Sequence, residues 1–230
     1  MRALRILLIT VVILGGLFAI ADRLVLNFAE SEAADKIKAS QGLGGTTEVS
    51  IAGFPFLTQV AGKELDRVDV TVTGIETTAG GSNVRISEMT ASLHDVRLEN
   101  NYSSATAATA TGTAVVSYAD LTKAAEGEDV VVAFGGNGKV KVTGSVQVLG
   151  RSVSRSVLST ISVVNGDTLR VRADKVPGEG IPGLEEMVRE KTDFDRKIGG
   201  LPNGLKLDKI EAREDGVAIT VTGTNVPLAG

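Results

Sequence analysis

The sequence predicts an α+β fold that is mostly antiparallel β, with a strongly curved sheet wrapped around a long N-terminal helix. Three observations carry this expectation. Apolar and polar residues alternate with period two in run after run from residue 47 to the end of the chain, and Asn-Gly and Asp-Gly turns between such runs join antiparallel strands without crossover helices. One stretch with helical spacing, residues 22–40, precedes all of them. Three alternating runs close on glycine: Val70-Thr71-Val72-Thr73-Gly74, Val140-Lys141-Val142-Thr143-Gly144 and Ile219-Thr220-Val221-Thr222-Gly223. A glycine there suits a bulge or bend, and several bends would curl one sheet around a filler, which the amphipathic helix supplies. The uneven spacing of the three runs argues against a repeat architecture.

Composition sets the remaining bounds. The chain has 230 residues, 43% of them hydrophobic, enough for one core, so residues 22–230 are expected to form a single domain. Its 24 basic and 28 acidic residues are interspersed and leave a net charge of -4, which supplies no basic footprint for nucleic acid. There is no Cys, so disulfides, thiolate metal sites and a Cys nucleophile are ruled out. Six Phe, two Tyr and no Trp leave a largely aliphatic core.

The elements follow in order. Arg2 and Arg5 precede an uncharged apolar run, residues 6–21, the layout that directs export. Its length lies between a signal-peptide core and the ~17–25 residues that span a bilayer. Ala19-Ile20-Ala21 resembles a cleavage site, whereas Leu24, Val25 and Leu26 would carry a helix onward, so residues 1–21 are either a signal peptide or a membrane anchor. Both place the domain outside the cytoplasm. In residues 22–40, Leu24, Phe28, Ala33 and Ile37 are read as the apolar side, with Asp22, Glu30, Glu32, Asp35 and Lys36 toward solvent. Gln41-Gly42-Leu43-Gly44-Gly45 ends this helix.

Residues 47–51 alternate, and Gly53 and Pro55 then interrupt any regular strand. Residues 65–73 alternate through Val68, Val70 and Val72, and 84–98 read as two strands or one long bent one. A strand at 106–116 leads to a short helix at 118–125 opened by Ser117 as N-cap. Strands at 130–134 and 139–149 meet across Gly135-Gly136-Asn137-Gly138, and those at 152–164 and 168–173 across Asn165-Gly166-Asp167. Pro177 and Pro182 bracket a loop, 184–198 has the spacing of a helix, and 205–213 pairs with 217–224 across Asp215-Gly216.

Few residues offer chemistry. His94 is the sole histidine, and Asp95 beside it would point to the other face of a strand, so the two form no relay. Glu185, Glu186 and Glu190, with Asp193 and Asp195, are read as carboxylates complementing a helix dipole. Gly135-Gly136-Asn137-Gly138-Lys139 lacks the hydroxyl residue of a phosphate loop, since Val140 follows the lysine. The reading is a binding protein without metal or cofactor, not an enzyme.

The most concentrated signal is Gly53-Phe54-Pro55-Phe56-Leu57-Thr58-Gln59-Val60. It is either a core turn, with Phe54 and Phe56 buried on the sheet, or the mouth of an apolar groove for an acyl chain. Each buried CH₂ contributes about 0.8 kcal/mol, so a tail of some 16 carbons gains on the order of 10 kcal/mol without a strong polar anchor.

With Ala21-Asp22-Arg23, Phe28-Ala29-Glu30, the run Val49-Ser50-Ile51-Ala52 leading into this motif, and Gly62, Leu65, Val68, Asp69 and Val70 after it, the sequence resembles the LmeA-like phospholipid-binding proteins of the actinobacterial cell envelope. The resemblance implies a fold like the tubular lipid-binding proteins and binding of phosphatidylinositol-type or related anionic phospholipids at the outer side of the plasma membrane. The resulting expectation is an acyl-chain groove lined by Phe28, Ile37, Phe54, Pro55, Phe56, Leu57, Val60, Val68, Val70 and Val72. Val140, Val142, Val146 and Val148 form a second wall, and Lys63 and Arg67 stand at the rim. Its partners are phospholipid, the membrane surface and envelope enzymes. The alternative is a structural or scaffolding envelope protein whose β domain binds another protein.

Overall fold

The computed structural model describes residues 2–41, 45–79, 82–124, 130–148, 151–175, 189, 192–198, 201 and 203–228. One continuous helix, α1 (Arg2–Gln41), is followed by β1 (Thr46–Ala52), a short helix α2 (Phe56–Gly62), β2 (Glu64–Ala79), β3 (Ser82–Glu99) and β4 (Ser104–Val116). Helix α3 (Tyr118–Ala124) leads to β5 (Val130–Gly136), β6 (Lys139–Val148), β7 (Arg151–Val164), β8 (Thr168–Ala173) and β9 (Phe194–Lys197). Strands β10 (Leu205–Ala212) and β11 (Val217–Leu228) complete the chain. The α+β class with a long N-terminal helix and antiparallel strands holds.

The strands form two open sheets rather than one. The first has six strands in the order β1-β2-β3-β4-β11-β10, the second five in the order β5-β6-β7-β8-β9. Chain order explains the split. After β4 the chain turns through α3 and builds the second sheet from strands β5 to β9 paired in chain order, and β11 then returns to pair with β4. Asn137 and Gly138, with φ of 51° and 71°, and Asn165 and Gly166, with 56° and 72°, make the tight hairpin turns that their residue types require. Ser117 caps α3 as expected: its Oγ accepts the Asp120 N–H at 3.1 Å and donates to Asp120 Oδ2 at 2.6 Å.

Bends arise only partly at the glycines. Gly74 has φ 71° inside β2, opposite a register shift in β3 between Ile86 and Glu88. Gly144 pairs regularly with Arg155. Asp95 and Asn225, both at φ 50°, distort β3 and β11 on either side of β4, where pairing skips from Thr109 to Ala107. Segment 84–98 is one long strand. The expected helix at 184–198 gives way at its end to β9, because Asp195 sits opposite Arg170 on β8 and bonds to its guanidinium at 2.7 Å. Its first part lies largely outside the described residues, as do Gly42–Gly44, Pro177, Pro182, Glu185, Glu186 and Glu190.

Two cores result. Leu26, Ile51, Phe56, Leu65, Val96 and Ala107 join α1 and α2 to one end of the six-stranded sheet. Val140, Ile210, Ala212 and Val217, with Tyr118 and Leu121 of α3 against them, join the two sheets.

Candidate functional site

Pairing registers place three apolar rows on one face of the six-stranded sheet. The central row crosses it as Val49, Val70, Ala91, Gly112, Val221 and Leu207. The row toward α2 runs Ile51, Val68, Leu93, Ala110 and Gly223, and the row on the other side Thr47, Val72, Met89, Ala114, Ile219 and Ile210. The opposite face is polar, with Glu48, Thr71, Thr90, Thr113, Thr220 and Lys209 in one row. Small residues, Ala91, Ala110, Gly112 and Ala114, occupy the middle of the apolar face where Val and Leu flank it, and Val221 leans over Gly112, its Cγ2 3.1 Å from where a Cβ would stand. Val49, Val70, Ala91, Gly112 and Val221 are only half-buried. The protein covers the ends of the strip with its two cores and leaves the centre incompletely covered.

At one end stands the Gly-Phe-Pro-Phe segment, which folds as a turn and then α2, a helix the residue pattern did not announce. Its polar members are structural. Gly53 adopts φ 101°, and a Cβ there would lie 2.4 Å from Gln59 Nε2, so only glycine fits. Gln59 clamps both flanks: Nε2 donates to the Ala52 carbonyl at 3.2 Å and Oε1 accepts the Asp66 N–H at 2.8 Å. Thr58 Oγ1 donates to the Pro55 carbonyl at 2.8 Å.

Helix α1 supplies the remaining partners. Asp22 Oδ1 accepts the Leu57 N–H at 2.8 Å and Glu30 Oε1 accepts the Ile51 N–H at 2.7 Å, satisfying donors on both sides of the turn, one of them an otherwise open N–H of α2. These two carboxylates were read as solvent-facing. Instead Asp22 is fully buried and shares the packed side of α1 with Leu26, Ala29 and Ile37, while Leu24 and Phe28 are 65% and 71% exposed. The missed signal is positional: Asp22, Leu26 and Ala29 are helical neighbours at four and three residues.

The motif thus divides. Phe56 is buried in the first core, with half-buried Val60 and Val68 packed on it, and Pro55 and Leu57 are half-buried. Phe54 turns outward, 61% exposed, with the Arg23 guanidinium 5.0 Å from its ring centroid. Val70 is half-buried on the strip and Val72 completely buried. Val140 and Val142 pack in the core between the sheets with Ile210 and Ile219, the end of the third apolar row; the side chains of Val146 and Val148 lie outside the described residues. Arg67 projects from the polar face into an ion pair with Asp69 at 2.9 Å, and Lys63 stands 5.9 Å over the Tyr102 ring. At the other end of β1 and β2 a cavity of about 430 Å³ is lined by Lys38, Gly45, Thr46, Thr73, Gly74, Arg85 and Ser87.

His94 lies exposed on the polar face, its Nε2 3.4 Å from Ser92 Oγ, but Ser92 donates its proton to Asp69 Oδ1 at 2.7 Å. The carboxylate holds the hydroxyl, not the imidazole, which is the wrong order for a relay.

No curated protein and no solved structure matches this chain. The model of the LmeA-like phospholipid-binding family matches residues 20–222, a span that runs from the middle of α1 through the motif and both sheets to the middle of β11, and this lipid-binding family is the one to which the chain belongs.

Proposed function

We propose that the protein holds the acyl chains of a phospholipid on the apolar strip of the six-stranded sheet, outside the cytoplasm in the cell envelope, where it serves lipid maintenance without catalysing a reaction. Residues 22–230 act as one lipid-binding domain, and residues 1–21 export it or hold it at the membrane. The carrying observation is the half-buried centre of the strip, Val70, Ala91, Gly112 and Val221, an apolar surface with small residues where a packed core would place large ones. From Met89 to Val96 a strand rises about 23 Å, room for much of an extended tail. Phe56, Val60 and Val68 form the wall at one end. At the other, Lys38 and Arg85 with the hydroxyls of Thr46, Thr73 and Ser87 suit the phosphate of an anionic headgroup such as a phosphatidylinositol.

The test is native mass spectrometry with organic extraction of the full chain purified from membranes, beside Ala91→Phe, which puts a large ring at the centre of the strip. Stoichiometric phospholipid on the parent chain and its loss from a folded Ala91→Phe variant is the expected result. A parent chain that carries no phospholipid and takes none from vesicles would overturn the reading and favour a scaffolding role.

A further inference from the structure

Helix α1 is long and apolar enough to cross a membrane, with a mean hydropathy of 2.1 in its candidate span, and its large apolar side chains from Leu4 to Ile20 are exposed. The uncharged run, residues 6–21, rises only about 24 Å at 1.5 Å per residue, about 6 Å short of a hydrocarbon layer of about 30 Å. About four more residues are needed, and Leu24, Val25 and Phe28, which are 65%, 43% and 71% exposed, supply the apolar surface. At that level α1 is no longer alone. Asp22 is buried with the Leu57 N–H on its carboxylate, and Arg23 stacks on Phe54, so the start of α2 is tied to the helix turn that hydrophobic matching draws to the bilayer edge.

We infer that α2 and the turn before it are seated in the headgroup layer of a phospholipid bilayer, with Phe54 inserted beside α1. The inference rests on the membrane-held form of the proposed function. Each end of α2 carries an exposed aromatic ring with a cation over it: Arg23 on Phe54, 61% exposed, and Lys63 on Tyr102, 51% exposed. Rings at the level of the headgroups with cations reaching the phosphates are what the interface selects. The nearby acids do not oppose this strongly. Asp22 points inward with the Arg23 guanidinium 3.5 Å from its carboxylate, Glu64 is 3.9 Å from Arg97, and Asp69 is 2.9 Å from Arg67. The seating brings the walled end of the strip, at Phe56, against the leaflet.

The chain contains no Trp, so a single introduced Trp reports position. The experiment reconstitutes full-length Phe54→Trp, Tyr102→Trp and Val131→Trp separately into phosphatidylcholine–phosphatidylglycerol vesicles with and without brominated acyl chains. Val131 is exposed on β5 of the second sheet. The expected result is blue-shifted emission, mostly quenched by bromine, at positions 54 and 102, and unquenched emission at 131. Equal brightness at 54 and 131 overturns the inference. The same reporters in an Ala91→Phe background separate bilayer from strip: quenching that persists supports seating, and quenching that disappears together with extractable lipid overturns it. Quenching at 54 in a chain that carries no extractable lipid would sink the proposed function while leaving the seating intact.

Discussion

Strands β2 and β6 carry the same kind of sequence, an alternating valine run that ends in glycine, yet they meet opposite surroundings. On β6, Val140 is 3% exposed and packs with Ile210 and Val217, closed over by α3. On β2, Val70 faces Ala91, which faces Gly112, and remains half-buried. The difference lies in what stands over each face: Ile210 and Val217 of the facing sheet, with Tyr118 and Leu121 of α3, complete a core over Val140, whereas small residues beside Val70 leave its face half-buried. Alternation alone says that a face is apolar, and the elements packed over it say whether it is full.

Substitutions on the two faces should therefore act on different properties. The largest expected effect is that of Ala91→Phe, which removes bound phospholipid in the extraction measurement while far-ultraviolet circular dichroism keeps its β signature. Val140→Ala should do the reverse. It opens a cavity between the sheets and costs about 2 kcal/mol in urea unfolding, with the lipid content unchanged. If Val140→Ala empties the protein of lipid at unchanged stability, the division into strip and core is wrong. Asp22→Ala tests what ties the motif to α1. It strips the Leu57 N–H of a charged acceptor, a loss of about 1.5–3 kcal/mol, and should raise hydrogen exchange in α2 first.

Much of this architecture was legible in sequence because its signals are local. Hairpins at Asn137-Gly138 and Asn165-Gly166 follow from adjacent residues that accept positive φ, and the Ser117 cap acts on a residue three positions away. The strip was not legible, since Gly112 meets Ala91 and Val221 only through pairings far apart in the chain. Periodicity also cannot tell one sheet from two, and Val140 and Val142 lie on the second sheet, packed against Ile210 and Ile219 of the first. The facing of α1 was misjudged at Asp22 and Glu30 for a physical reason. Carboxylates are ordinarily solvated, but here they satisfy backbone donors of a neighbouring turn. Phe54 and Phe56 look equivalent in sequence, and Pro55 between them sends one outward and one into the core.

The smallest effects expected are electrostatic, and they divide the sheets again. Hydrogen bonds from Lys139 and then Thr160 hold the Asp174 carboxyl below its usual range, Arg170 does so for Asp195, and Thr168 with Lys197 for Asp167. All three belong to the second sheet or its hairpin turn, whereas Glu211, lowered by Lys209, lies in the six-stranded one. A carboxyl whose pKa is lower folded than unfolded contributes stability above its unfolded value and loses it as the pH falls through the folded one. The loss therefore falls below about pH 4, where carboxylates ordinarily titrate, and hydrogen exchange on mild acidification should rise in β8 and β9 before β2 and β3. Arg170→Gln sharpens the contrast. It removes the largest influence on Asp195 and leaves Arg172 at 2.8 Å, so β8 and β9 should open at a slightly higher pH with little change at neutrality, these groups being exposed and screened. Equal acid sensitivity in the two sheets, with Arg170→Gln indistinguishable from the parent, would mean that apolar packing alone orders the second sheet.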